Sequence, residues 1–116
     1  MQIATWNVNS LKVRLPHVLD WLQQTGCDVL GLQELKLDNA ANDKLVAEFA
    51  AIGYNFIYNG QKTYNGVALI SKFPLENVVL DIPEYDDVQK RVIAATVNGV
   101  RVICAYFVNG ESLISD

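Results

Sequence analysis

The sequence predicts an α/β fold with a βαβα start followed by a run of antiparallel strands, incomplete at its C-terminal end. Three observations carry that expectation. The first third holds two short apolar runs flanking a segment with apolar residues at i, i+3, i+4 and i+7. After Gly53 the helical spacing gives way to apolar runs of strand length. Asn98-Gly99 then separates two such runs, the strongest short signal for a tight hairpin.

Taken in order, Gln2 to Trp6 is a strand ended by the polar residues Asn7, Asn9 and Ser10. A helix is expected from Leu15 or Pro16 to Gln24, because Pro suits a first helical turn. Leu15, Val18, Leu19 and Leu22 give it one apolar face, and Gly26 stands where a helix C-terminus favours glycine. Asp28 to Leu32 reads as a buried strand ending at Gln33-Glu34. Strand, helix and strand so close together form a right-handed βαβ unit, with its strands parallel. A second helix is expected from Asn42 or Asp43 to Ile52, with Leu45, Val46, Phe49 and Ile52 inward. The strands that follow are Tyr54–Tyr58, Val67–Lys72, Leu75–Leu80, Arg91–Val97 and Val100–Phe107, the last two joined by a type I′ turn.

Composition narrows the class. The chain has 116 residues, 51% of them hydrophobic, which is too apolar for disorder and enough for one core. No apolar run approaches the ~20 residues of a membrane span, and no basic-then-apolar leader opens the sequence, so a cytoplasmic protein without a membrane partner is expected. Two cysteines far apart in the chain make neither a disulfide framework nor a zinc cluster. The net charge of -4 argues against a broad nucleic-acid surface, yet a divalent cation can supply locally the charge that side chains lack.

The strand pattern points to a part rather than a whole. The strands have two helices for one face, and no further element follows the last strand to cover the other. Val- and Ile-rich strands buried on both faces normally need cover on both. The expectation is an open apolar sheet face through which the chain self-associates or takes up a complementary half.

Asn7 and Glu34 lead the candidate residues. Each lies just beyond the carboxyl end of a predicted parallel strand, where open α/β sheets bind ligands. An amide oxygen and a carboxylate are hard donors of the kind Mg²⁺ takes, with water and substrate phosphate completing the shell. On chemistry alone the plainer reading is preferred, with Asn7 a turn cap and Glu34 a solvated loop acid, because one Asn and one Glu make a weak spacing signal. His17, the single histidine, falls inside the first helix and reads as a surface residue rather than a general base. Cys27 and Cys104 read as small core hydrophobes, and Trp6 and Trp21 as core anchors. Tyr106 ends the last strand and alone would be a core tyrosine. Lys12, Arg14 and Lys36 gather at the same end of the sheet, either as a phosphate-facing rim or as ordinary exposed cations.

The strings Met1-Gln2-Ile3-Ala4-Thr5-Trp6-Asn7-Val8-Asn9-Ser10-Leu11 and Asp28-Val29-Leu30-Gly31-Leu32-Gln33-Glu34-Leu35-Lys36 decide between these readings. Together with Gly66–Lys72, Arg91-Val92-Ile93 and Tyr106–Ser112, in that order, the chain resembles the exonuclease III family of apurinic/apyrimidinic (AP) endonucleases. That family lies within the endonuclease/exonuclease/phosphatase superfamily. Lys36, two residues after Glu34, favours it over the superfamily's phosphatases and sphingomyelinases.

The resemblance implies the N-terminal half of a four-layer α/β sandwich, with residues 1–116 as the N-terminal portion of the domain. It implies an Mg²⁺- or Mn²⁺-dependent DNA-repair nuclease that cleaves 5′ to abasic sites or trims 3′ ends of double-stranded DNA. Glu34 would be a direct metal ligand, and Asn7 would orient the metal and its surroundings. Tyr106 would contact the scissile phosphate, with Asn109 nearby, while Lys12 and Arg91 would touch the DNA backbone. Asn9, Gln33 and Lys36 would support the site. Asn9 stands where some relatives carry Asp, Val108 where Pro is common, and Cys27 where a small or aromatic residue is usual. The family's Asp-x-Asn and Ser-Asp-His strings, the latter serving the attacking water, do not occur in these residues. The chain alone is therefore expected to be inactive, either as part of a nuclease or as a non-catalytic product. A superfamily phosphatase is the third alternative.

Overall fold

The computed structural model describes residues 1–36, 42–59, 66–80 and 92–105. Arg91, Tyr106 and Asn109 lie outside the described residues. The elements run β1 (Ile3–Asn7), α1 (Leu11–Thr25), β2 (Val29–Gln33), α2 (Asn42–Ala50), β3 (Asn55–Asn59), β4 (Val67–Ser71), β5 (Leu75–Leu80), β6 (Val92–Val97) and β7 (Val100–Ala105). Among the described residues no helix is long and apolar enough to cross a membrane.

The expected α/β order holds, including the parallel pairing of β1 with β2, in which Ile3 faces Val29 and Asn7 faces Gln33. The strands then part company. One sheet has the order β1-β2-β4-β3 and a second has the order β5-β6-β7. Side-chain alternation explains why both are needed. Leu30 and Leu32 of β2, with Ala68 and Ile70 of β4, pack among Val18, Leu22, Leu45 and Phe49 of the helices. Val29, Val67 and Leu69 point the other way, into a second core with Ile93, Ala95, Val97, Val102 and Cys104. Both faces of β2 and β4 are thus buried, as their unbroken apolar runs require.

This arrangement corrects one expectation. The sheet face expected to mediate self-association is covered over β2 and β4 by the second sheet, which comes from the same chain. On β1, beside the covered strands, Ile3 stays 53% accessible, and Val78, Leu80 and Ile103 of the second sheet are exposed as well.

Local boundaries also differ. Helix α1 starts at Leu11, four residues before the earlier of the two expected starts, and so contains Pro16 in its second turn. Proline cannot donate to the carbonyl of Lys12, a loss interior helices seldom tolerate. Tertiary anchoring offsets it: Leu11 is fully buried, and its N–H donates to the Leu35 carbonyl at 2.9 Å. The other end is as expected, with Gly26 left-handed at φ 65 and its N–H on the Leu22 carbonyl at 3.0 Å. Helix α2 ends at Ala50 instead of Ile52, and β3 begins one residue later than predicted. Val46, expected inward, is 38% exposed. Phe49, also expected inward, is fully buried and stacks on Phe56 with ring centroids 4.8 Å apart. The hairpin turn matches: Asn98 and Gly99 both have positive φ (50 and 82), as type I′ demands.

Candidate functional site

The site grows from the parallel register of β1 and β2. Because the two strands end side by side, the segments leaving them continue in contact. Val8 N–H donates to the Gln33 carbonyl at 3.0 Å, Ser10 N–H to that of Glu34 at 2.8 Å and Leu11 N–H to that of Leu35 at 2.9 Å. The ladder therefore runs on beyond the sheet and fixes one loop against the other.

That fixation holds unusual backbone. Asn9, Ser10, Glu34 and Lys36 have φ of 48, 93, 57 and 55. Such left-handed conformations cost non-glycine residues on the order of 1–3 kcal/mol each, and they persist only where surroundings enforce them. Here the enforcement is the ladder together with Gly66, whose carbonyl accepts from Leu35 N–H at 3.3 Å. A Cβ on Gly66 would sit 3.2 Å from that of Leu35, and its φ of 93 suits glycine.

The turn at Glu34 aims its carboxylate back at β1. Asn7 Nδ2 donates to Glu34 Oε2 at 2.5 Å, which brings together the two residues singled out by the sequence. Glu34 Oε1 and Asn7 Oδ1 remain as hard oxygen donors at the exposed end of the strands. Among the described residues no cluster of three or more His, Cys, Asp or Glu could hold a metal. A pair is enough for the class of site in which Mg²⁺ keeps waters and binds substrate phosphate, so the donor set fits a hard divalent cation.

The remaining candidates separate into groups. Lys36 Nζ donates to Asn9 Oδ1 at 2.6 Å, spanning the same two loops. Gln33 turns away from Glu34 toward the second sheet, donating to Thr5 Oγ1 at 2.7 Å and to Cys104 Sγ at 3.3 Å. Lys12 and Arg14 are exposed on the first turn of α1, and His17 is exposed farther along it. Trp6 and Trp21 meet edge to face at 6.2 Å, partly buried against the helix-side core.

Thr5 and Cys104 were not legible as members of this network. Thr5 carries the alternation of β1, two residues before Asn7, and that is the one signal available. Cys104 reads as a hydrophobe, and burial does raise its thiol pKa, an effect partly countered by the Gln33 hydrogen bond. It also donates to the Leu32 carbonyl at 3.4 Å. A side chain on Gly31 would meet Cys104 Sγ at 3.1 Å, so glycine sets how closely the sheets approach here.

Fold and site together define a class. The chain belongs to the endonuclease/exonuclease/phosphatase family, whose sequence pattern matches residues 4–113. Within that class it is similar to exodeoxyribonuclease III of Haemophilus influenzae, at 35% identity over 97% of this chain and 43% of the relative. Among solved structures, the 3′-5′ exonuclease NExo of Neisseria meningitidis superposes with a TM-score of 0.89 at 52% identity, covering 96% of this chain and 43% of that one. An AP endonuclease from Archaeoglobus fulgidus gives a TM-score of 0.85 at 37% identity, covering 91% of this chain and 41% of its own. The chain thus spans less than half the length of these relatives.

Proposed function

We propose that residues 1–116 form the N-terminal portion of a divalent-metal-dependent DNA nuclease domain of the exonuclease III and AP endonuclease type. The observation that carries the proposal is the Asn7–Glu34 pair, held at the carboxyl ends of paired parallel strands by an enforced backbone. Support comes also from the similarity to an exodeoxyribonuclease, an exonuclease and an AP endonuclease over nearly all of this chain.

Glu34 would hold Mg²⁺ or Mn²⁺ through a carboxylate oxygen. When bound, the ion supplies positive charge for a phosphodiester and polarises its oxygen. Asn7 orients the carboxylate by donating to one of its oxygens, which leaves the other free. Tyr106, Asn109, Arg91 and Lys12 are proposed to meet the phosphate and the DNA backbone, on the strength of their positions in the family strings. A general base for water is not supplied by His17, which is exposed on α1. General-base help is worth about 10²–10⁴-fold, and catalytic groups that act as a unit lose far more than their separate shares.

The purified chain with Mg²⁺ should therefore leave an abasic-site duplex uncleaved on a denaturing gel. Turnover that disappears in Glu34→Ala would overturn the assignment of inactivity. With Ca²⁺ in place of Mg²⁺, the same duplex should be retained in a mobility-shift experiment. Displacement by a small sugar phosphate would favour the phosphatase alternative instead.

A further inference from the structure

We infer that Lys36 is a phosphate-engaging cation of this site and that Asn9 is its positioning residue, chosen neutral so that the ammonium charge stays available. The inference rests on the nuclease reading above and adds to it a charge rule for the rim. Lys36 Nζ lies 2.6 Å from Asn9 Oδ1, so the long side chain is held across the two loops that carry Asn7 and Glu34. Both partners sit on left-handed backbone, Asn9 at φ 48 and Lys36 at φ 55, so the bridge joins two residues whose directions are already fixed.

An amide oxygen can orient an ammonium without neutralising it. Among the described residues the ion pair present is Lys72 with Asp28, at 4.0 Å, and it lies at the opposite end of β2. Among the described residues no carboxylate forms an ion pair with Lys36, which is only partly buried near Glu34, where an anion can approach. In a chain of net charge -4, an oriented lysine with no ion-pair partner among the described residues, next to a cation site, is suited to a phosphate group of the nucleic-acid backbone.

The isosteric change Asn9→Asp isolates this role. Aspartate has the same size, accepts the same hydrogen bond and tolerates left-handed backbone as asparagine does. Only the charge next to Lys36 changes. The test measures binding of a short duplex DNA to the full chain in EDTA, across a salt series, for wild type, Asn9→Asp and Lys36→Met. Working in EDTA keeps the metal out of the comparison. Losing one lysine–phosphate interaction should reduce the slope of log affinity against log salt by about 0.9. Both variants should show that reduction and weaker binding, while thermal melts of wild type and Asn9→Asp coincide.

A wild-type slope in Asn9→Asp alongside a reduced slope in Lys36→Met would overturn the role of Asn9. Wild-type slopes in both variants would overturn the phosphate interaction itself. Duplex binding by none of the three would overturn the DNA reading, and this inference with it. A failure of metal binding in a separate Mn²⁺ titration would count against the cation site alone.

Discussion

Glu34→Gln should weaken Mn²⁺ binding by at least 10–100-fold, since that is about the effect of removing even an outer partner of a metal ligand. Free Mn²⁺ followed by electron paramagnetic resonance measures it directly. Glutamine keeps the length of the side chain and can still accept from Asn7 Nδ2, so the weakening reports charge and donor strength rather than collapse of the loop. Glu34→Gly sharpens the test. At φ 57 the wild-type residue bears roughly 1–2 kcal/mol of left-handed strain. Glycine relieves that and returns about 0.5–1 kcal/mol through its greater loss of chain entropy. The variant should thus fold no less stably than wild type and bind no Mn²⁺. A stable Glu34→Gly protein with wild-type Mn²⁺ affinity would place the cation elsewhere.

The largest stability effect belongs to Phe49. Its side chain is fully buried, stacks on Phe56 at 4.8 Å and belongs to the core joining α2 to the first sheet. Phe49→Ala should cost about 3–5 kcal/mol, read as a lowered midpoint in urea denaturation. The reason is local as well as volumetric. The Phe49 carbonyl accepts from Ile52 N–H at 3.1 Å and Tyr54 N–H at 3.0 Å, so the residue also closes the turn that launches β3. Val46→Ala, one turn earlier and 38% exposed, should cost far less and serves as the control.

Much of the fold was readable from the chain because local and tertiary demands agree. Gly26 and Asn98-Gly99 ended a helix and turned a hairpin as their backbone freedom allows. The continuous burial of β2 and β4 followed from apolar runs that need two covered faces. What could not be read was which strands share a sheet. Period-two alternation states that a face is buried but not by what, and the cover for β2 and β4 came from β5, β6 and β7.

The start of α1 was misplaced for a similar reason. Pro16 is a sound local signal, but Leu11 is held by Leu35, whose backbone is distant in sequence. That Asn7 and Glu34 would meet was legible from the parallel strand ends of a βαβ unit, while their reading as a ligand pair came from the family strings. The Lys36–Asn9 bridge and the Gln33–Cys104 hydrogen bond were not, since they depend on left-handed backbone and on meetings across 27 and 71 residues of chain. Tyr106, Asn109 and Arg91 rest on the family strings.

The most direct test of the central claim, that Asn7 and Glu34 hold a divalent cation at the joined strand ends, is Mn²⁺ broadening of backbone amide resonances in the isotope-labelled chain. Substoichiometric Mn²⁺ should first extinguish the amides of Val8, Asn9, Ser10, Glu34 and Leu35. First loss around Asp28 and Lys72, at the far end of β2, or around Asp43 in α2, would contradict it.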